Sequence, residues 1–178
     1  MISGPAGVGK TTIALELFKK IPSLRPGITY MTREKREIAE DKTIVHVSLK
    51  EFEELIKKDR FLEWAKFFDN YYGTSTEVLD ILEKNPVLLN IDPIGAMQIK
   101  EKFPEAVLIF IKPDSIDALK QRLVSRGNIS EKEMDLRMEK AMEEIKMANK
   151  YDYVVVNKEG EIEETVGEVQ GIVQKYIN

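Results

Sequence analysis

The chain has no cysteine and a single histidine. Without thiols there is neither a disulfide framework nor thiolate chemistry, so redox reactions by the protein's own side chains are excluded and a reducing compartment suits it. Also missing are an apolar run long enough to span a membrane and a signal-type apolar segment ahead of the first motif, which reads as a soluble, cytoplasmic protein. Positive charge is not in excess: 27 Lys and Arg against 31 Asp and Glu give a formal net charge of −4 and a pI near 5.3. A broad nucleic-acid or membrane-surface footprint needs a clustered positive field, so no nucleic acid and no membrane is expected as partner, and positive charge must act locally. No repeat or low-complexity tract is visible in the 178 residues, a length that fits one domain burying a full core.

What the chain does have, almost at its first residue, is Gly4-Pro5-Ala6-Gly7-Val8-Gly9-Lys10-Thr11, a complete G-x-x-x-x-G-K-[ST] phosphate loop. Glycines at positions 4, 7 and 9 allow backbone angles closed to other residues, so successive N–H groups can turn inward around a polyphosphate. Lys10 adds a point charge near the β- and γ-phosphates, Thr11 offers a hydroxyl to Mg²⁺, and Thr12 follows on the same turn. Helical spacing of Ile13, Leu15, Leu17 and Phe18 then predicts a helix whose positive end faces the anion. Only Met1, Ile2 and Ser3 are left to form the strand before the loop.

Beyond the loop, apolar strand-length runs at Val87–Ile91, Ala106–Ile111 and Tyr153–Val156 alternate with helical segments at Ile94–Lys102, Ser115–Ser125, Glu131–Lys150 and Glu161–Tyr176. Such β-α alternation predicts an α/β fold, a parallel sheet with helices on both faces. Ser130 with Glu133 reads as a capping box, and Met134, Met138, Met142 and Ile145 as a packing stripe on the helix it starts. Residues 22–85 break the alternation. There Ile44–Ser48 and Phe61–Phe67 read as short strands flanking a helix at Lys50–Asp59, and Asn70-Tyr71-Tyr72-Gly73 as a turn, together an inserted α+β lobe. His46 lies in a short strand and is assigned no chemistry.

In order along the chain, the Gly4–Thr11 loop, Thr32-Arg33-Glu34-Lys35-Arg36, Phe61-Leu62-Glu63-Trp64-Ala65, Asn70–Ser75, Ile91-Asp92 with Gly95-Ala96, Arg122–Gly127, Arg137 and Tyr151–Asn157 resemble the guanylate kinase family over nearly the whole length. The resemblance implies a P-loop NTPase-type core (residues 1–27, 86–124 and 141–178), an inserted mixed α+β GMP-binding lobe (28–85) and a helical lid (125–140). It implies Mg²⁺ as cofactor, ATP as co-substrate and GMP, with dGMP as a further candidate, as acceptor, in a monomer or homodimer. Arg33 and Arg36 resemble the family's clamp on the acceptor phosphate, two guanidinium forks that can hold a dianion; Tyr72 and Thr29 would add hydroxyls, and Tyr71 reads as packing. Glu63 is similar to the carboxylate that accepts from guanine N1–H and the N2 amine, with Thr74 and Ser75 near O6. Arg126 and Arg137 resemble catalytic lid arginines, which Arg122 would join on the ATP side. Asn157 resembles an adenine-side contact. Asp92 is open between a Mg²⁺-bound water, the guanine and a plain helix N-cap before Pro93.

The chain departs from the family pattern in two places. After Arg36 the segment Glu37–Ile44 is shortened and acidic, with Glu37, Glu40 and Asp41 near the expected phosphate, and a tyrosine position falls on Ile44 or its neighbour. Asn90 stands where the first acid of a D-x-D pair belongs. Two other readings therefore stay open: a related kinase acting on another phosphorylated acceptor such as ribose 1,5-bisphosphate, and a non-catalytic phosphopeptide-binding module.

Overall fold

A computed structural model of the chain describes residues 1–34, 43–67, 69–125 and 130–177. The expected α/β architecture is present. Strand β1 (Ile2–Ser3) leads through the phosphate loop into helix α1 (Lys10–Lys20), and β2 (Arg25–Pro26) follows. The next elements are β3 (Thr29–Met31), β4 (Ile44–His46), α2 (Leu49–Lys57), β5 (Phe61–Phe67), β6 (Asn70–Ser75) and α3 (Val78–Leu82). The chain then returns through β7 (Val87–Leu88), α4 (Pro93–Lys102), β8 (Ile109–Pro113), α5 (Ile116–Val124), α6 (Glu131–Lys146), a 3₁₀ turn (Met147–Lys150), β9 (Tyr153–Asn157) and α7 (Ile162–Ile177).

Strand β8 pairs in parallel with β1 and β9, and β2 with β7. A parallel bridge from Ile2 to Asn90, with Ile2 N–H donating to Leu89 O at 2.9 Å, joins them in the order β2-β7-β1-β8-β9. The two-residue β1 is thus central, and its tip carries the phosphate loop at the carboxyl edge, where open α/β sheets bind ligands. Ile2, Val8, Ile13, Leu17, Ile109 and Ile111, all buried, form the core under the loop. Leu15 lies on the opposite side of α1 and is exposed.

The second sheet runs β4-β3-β6-β5, with β3 and β4 parallel and the other pairs antiparallel. Its back face packs on α2, where Phe52 stacks on Phe61 with ring centroids 4.6 Å apart. The turn expected at Asn70–Gly73 is instead the start of β6, and the chain reverses between Phe67 and Asn70. Gly73 serves packing rather than turning: a Cβ there would stand 2.8 Å from the Phe61 ring. Two other expectations need correction. Ser130 does cap α6 by accepting from Glu133 N–H, but the Glu133 carboxylate turns to Arg137, so the box is only half made. The full box is at α2, where Ser48 and Glu51 bond reciprocally. On α6, Met134 and Ala141 are buried and Met138 half-buried, while Met142 is exposed because it lies a position off the inward stripe.

Candidate active site

The phosphate loop has the backbone its glycines predict. Gly4, Gly7 and Gly9 take φ of 142°, 89° and 102°. A Cβ on Gly4 would come within 2.2 Å of Ile111 O, so the loop can lie against β8 only without a side chain there. Gly9 caps α1 with no side-chain hydrogen bond, leaving the helix's first N–H groups directed at the cleft. Lys10 Nζ donates to Gly4 O at 2.6 Å and Pro5 O at 3.0 Å and so lies along the loop. Thr11 is exposed, and its hydroxyl takes a 3.2 Å bond from the Asn90 side-chain amide.

Facing the loop, the second sheet gathers residues that are far apart in sequence. Register pairs Glu63 with Thr74, Ala65 with Tyr72 and Thr29 with Thr74, so Thr29, Glu63, Tyr72 and Thr74 share one face. A register shift between Phe61 and Glu63 makes this possible. In an unbroken strand the two would point the same way; the bulge sends Phe61 into the packing with α2 and Glu63 into the cleft. Glu63 is buried, and its Oε1 accepts from Thr74 N at 3.1 Å and Thr74 Oγ1 at 2.6 Å. Its other oxygen lies over α4, where a Cβ on Gly95 would stand 2.5 Å from Oε2. Burial pushes the Glu63 carboxyl up to about 7; the Thr74 hydroxyl bond opposes the rise and the Asp92 charge adds to it. Ser75, next along β6, turns away and accepts from Glu77 N–H at 3.2 Å. This geometry gives the Ser75 hydroxyl a turn to hold rather than the base contact expected of it.

Asp92 is the N-cap that its position before Pro93 predicts, Oδ1 accepting from Ile94 and Gly95 N–H at 2.8 and 3.0 Å. Its charge adds to the rise of both the Glu63 and the Glu144 carboxyl. Arg33 follows β3, and its carbonyl is held by His46 Nδ1 at 2.6 Å, a brace that no sequence pattern signalled. Arg137 bonds Glu133 through Nε and Nη2 at 3.0 and 2.7 Å. Arg122 pairs with Glu159 at 2.8 Å and reaches Asn157 O. Asn157 is buried beneath the loop: its amide donates to Val8 O at 2.8 Å and its oxygen accepts from Thr165. That arrangement makes it a brace of the loop, in place of the adenine contact expected from the resemblance. Arg36, Arg126 and the acidic segment after Arg36 lie outside the described residues.

A phosphate loop at the tip of a central parallel strand, in one chain with a second sheet that buries a carboxylate, defines a P-loop kinase. The family model for guanylate kinase matches residues 1–176. The chain belongs to the guanylate kinase family. It is 44% identical over 176 residues to the guanylate kinase of Caldanaerobacter subterraneus subsp. tengcongensis, covering 97% of this chain and 84% of that one. With the guanylate kinase of Clostridioides difficile it shares 40% identity, over all of this chain and 87% of the relative. Among solved structures, guanylate kinase from Anaplasma phagocytophilum superposes with a TM-score of 0.79 at 29% identity, covering 98% of this chain and 82% of that one. Shikimate kinase from Bacteroides thetaiotaomicron, at 14% identity and a TM-score of 0.53 with 97% and 96% covered, shares the fold alone.

Proposed function

We propose that this protein transfers the γ-phosphoryl group of ATP to GMP, giving ADP and GDP. The observation that carries the acceptor is Glu63, a buried carboxylate with one oxygen held by Thr74 and the other open over Gly95. Guanine presents N1–H and the N2 amine side by side, and adenine has a donor at neither position. A site that must satisfy a buried carboxylate therefore rejects the wrong base, which would leave the carboxylate desolvated and unpaired. A ribose 1,5-bisphosphate acceptor carries no base for this carboxylate to read, and a non-catalytic module has no use for an intact phosphate loop.

The lobe around residues 28–85 would hold GMP, with Arg33, Arg36, Tyr72 and Thr29 on its phosphate. A GMP phosphate oxygen attacks the γ-phosphorus as the bond to the ADP oxygen breaks. Lys10 and the loop N–H groups stabilise the donor side, while Arg137, Arg126 and Arg122, from the lid region of residues 125–140 and the helix before it, neutralise charge on the transferring group. The acceptor phosphate is already mostly a dianion at neutral pH, so no protein base is required. Mg²⁺ suits the donor set here: the Thr11 hydroxyl, the Asn90 amide (which by turning over would offer its oxygen) and the Asp92 carboxylate are hard oxygen ligands on one edge. Bound with ATP, Mg²⁺ would supply positive charge that offsets the charge of the phosphates.

An ADP-release assay with GMP, dGMP, AMP, UMP and ribose 1,5-bisphosphate tests the proposal. Turnover is expected with GMP and, more weakly, dGMP. Turnover with the sugar phosphate but not GMP rejects it, and a protein inactive on every acceptor yet binding a phosphopeptide supports the module instead.

A further inference from the structure

Helix α6 carries two residues, Lys140 and Glu144, that no motif singles out. Glu144 is buried, at 5% exposure, and its Oε1 lies 4.0 Å from Lys140 Nζ. Its carboxyl is pushed up to about 7 by burial, against the pull first of Lys10 and then of Lys140, so the phosphate-loop lysine and Lys140 both act on one carboxylate. The Lys140 ammonium also sits 3.8 Å over the centroid of the Phe67 ring, at the end of β5. Phe67 in turn packs edge-on against Tyr72, with ring centroids 6.5 Å apart. A chain of contacts thus runs from Glu144 through Lys140 and the Phe67 ring to Tyr72, the tyrosine proposed to meet the acceptor phosphate.

We propose that Lys140 and Glu144 form a positioning pair that sets the gap between the acceptor sheet and the phosphate loop. Neither touches the reacting atoms. Glu144, buried and 4.0 Å from Lys140 Nζ, fixes where the Lys140 head ends, and Lys140 fixes the end of β5 through the Phe67 ring. A cation over an aromatic face is attracted only at close range, and removal from water strengthens it. Phosphoryl transfer depends on such spacing, since a misplacement of about 1 Å can cost on the order of 10²-fold in rate. An ordinary helix-surface ion pair would instead contribute a few tenths of a kcal/mol to stability and nothing to substrate handling.

This inference rests on the reading of the protein as a GMP kinase, and its test separates the two. Lys140→Met keeps the aliphatic stem and removes the charge. It is expected to raise KM for GMP about five- to tenfold and lower kcat, with KM for ATP within about twofold. Lys140→Arg, which restores a cation over the ring, is expected to recover KM for GMP. Phe67→Leu should reproduce the Lys140→Met effect, and the double variant should be no worse than either single one, because both break the same contact. Glu144→Gln should shift KM for GMP in the same direction without lowering Tm. The pair is overturned if Lys140→Met leaves KM for GMP within about twofold of wild type, or if the Lys140 and Phe67 effects multiply. A wild-type protein that does not phosphorylate GMP overturns the functional proposal instead, and the same KM comparison is then made with the acceptor that the panel identifies.

Discussion

The donor and acceptor sides of the cleft are built by opposite means. The phosphate loop is backbone: three glycines with φ between 89° and 142°, a helix N-terminus and one lysine, all within residues 4–11. The acceptor side is made of side chains drawn from β3, β5, β6 and the segment after β3, and its defining group is a carboxylate buried in the sheet. Neutral backbone N–H groups at a glycine-rich turn and a helix N-terminus can face an anion at little cost to the fold. A buried carboxylate cannot, because burial opposes its charge, as the raised Glu63 pKa records. Phosphate binding is thus compatible with a stable fold, while the base selection proposed for Glu63 requires a group that weakens the fold.

The comparison is tested most severely at its charged centres. Lys10→Met should lower kcat/KM by about 10³-fold with every acceptor, by loss of a preorganised cation on the transferring group. Circular dichroism should show an unchanged fold, since the bonds from the Lys10 ammonium to the Gly4 and Pro5 carbonyls lie within the loop itself. Glu63→Gln should lower kcat/KM for GMP by about 10²-fold, because one acceptor becomes a donor facing guanine's donors. It should also stabilise the fold. The folded pKa of about 7 lies above the ordinary carboxylate value, so the penalty for ionising Glu63 is absent below that ordinary value and complete only above about 7. Thermal unfolding of the Gln variant should therefore show a gain of up to about 3 kcal/mol at pH 8 that fades toward pH 4.5. In the wild type, KM for GMP should rise as pH falls below about 7, as the carboxylate proposed to receive the guanine donors takes up a proton. A flat KM profile from pH 8 to 6 would remove the base-reading role from Glu63.

The same contrast explains what was legible in the sequence. The loop occupies contiguous positions whose residue types each have one physical use, and the long helices and buried strands announce themselves by period. The acceptor sheet does not. β3 has only three residues, and in β6 asparagine and glycine imitate a turn although Gly73 is there to admit the Phe61 ring. The bulge that aims Glu63 appears only when β5 is paired with β6. Family resemblance supplied Glu63, Arg33 and Tyr72, but it could not say that Asn157 is spent bracing Val8 O or that His46 holds the Arg33 carbonyl. Glu144 hides on a helix where Glu and Lys alternate nearly everywhere. Its one signal is its place beside Ala141 and Ile145 on the inward stripe.

Gly95→Ala separates shape from charge. Gly95 lies in α4 with no positive φ, so alanine should favour the helix by up to about 1 kcal/mol. Its Cβ, however, would meet Glu63 Oε2 at 2.5 Å and push aside the oxygen proposed to receive the base. KM for GMP is expected to rise about tenfold with KM for ATP unchanged and Tm unchanged or raised. Equal effects on both substrates would show that the two sides do not act separately.

The smallest effect tests whether the acceptor sheet keeps its own stability. Ser48→Ala removes the hydroxyl that accepts from Glu51 N–H and, with it, the reciprocal box that starts α2. Glu51 loses a partner at the same stroke, since the Ser48 hydroxyl bond is the main reason its carboxyl titrates below the ordinary value. Loss of an N-cap costs about 1 kcal/mol, and in a domain of this size that lowers Tm by roughly 2–4 °C if the whole chain unfolds together. Helix α2 packs on the back of the acceptor sheet through Phe52, away from the face that carries Glu63, so kcat and both KM values should not move. Amide hydrogen exchange distinguishes the two ways the cost can be distributed. Faster exchange confined to β3–β6 and α2 means that the acceptor sheet opens as a unit while the phosphate loop stays protected. Uniform loss of protection across β1, β8 and β9 as well means that the two sheets unfold together and that the separation of donor and acceptor is one of chemistry alone.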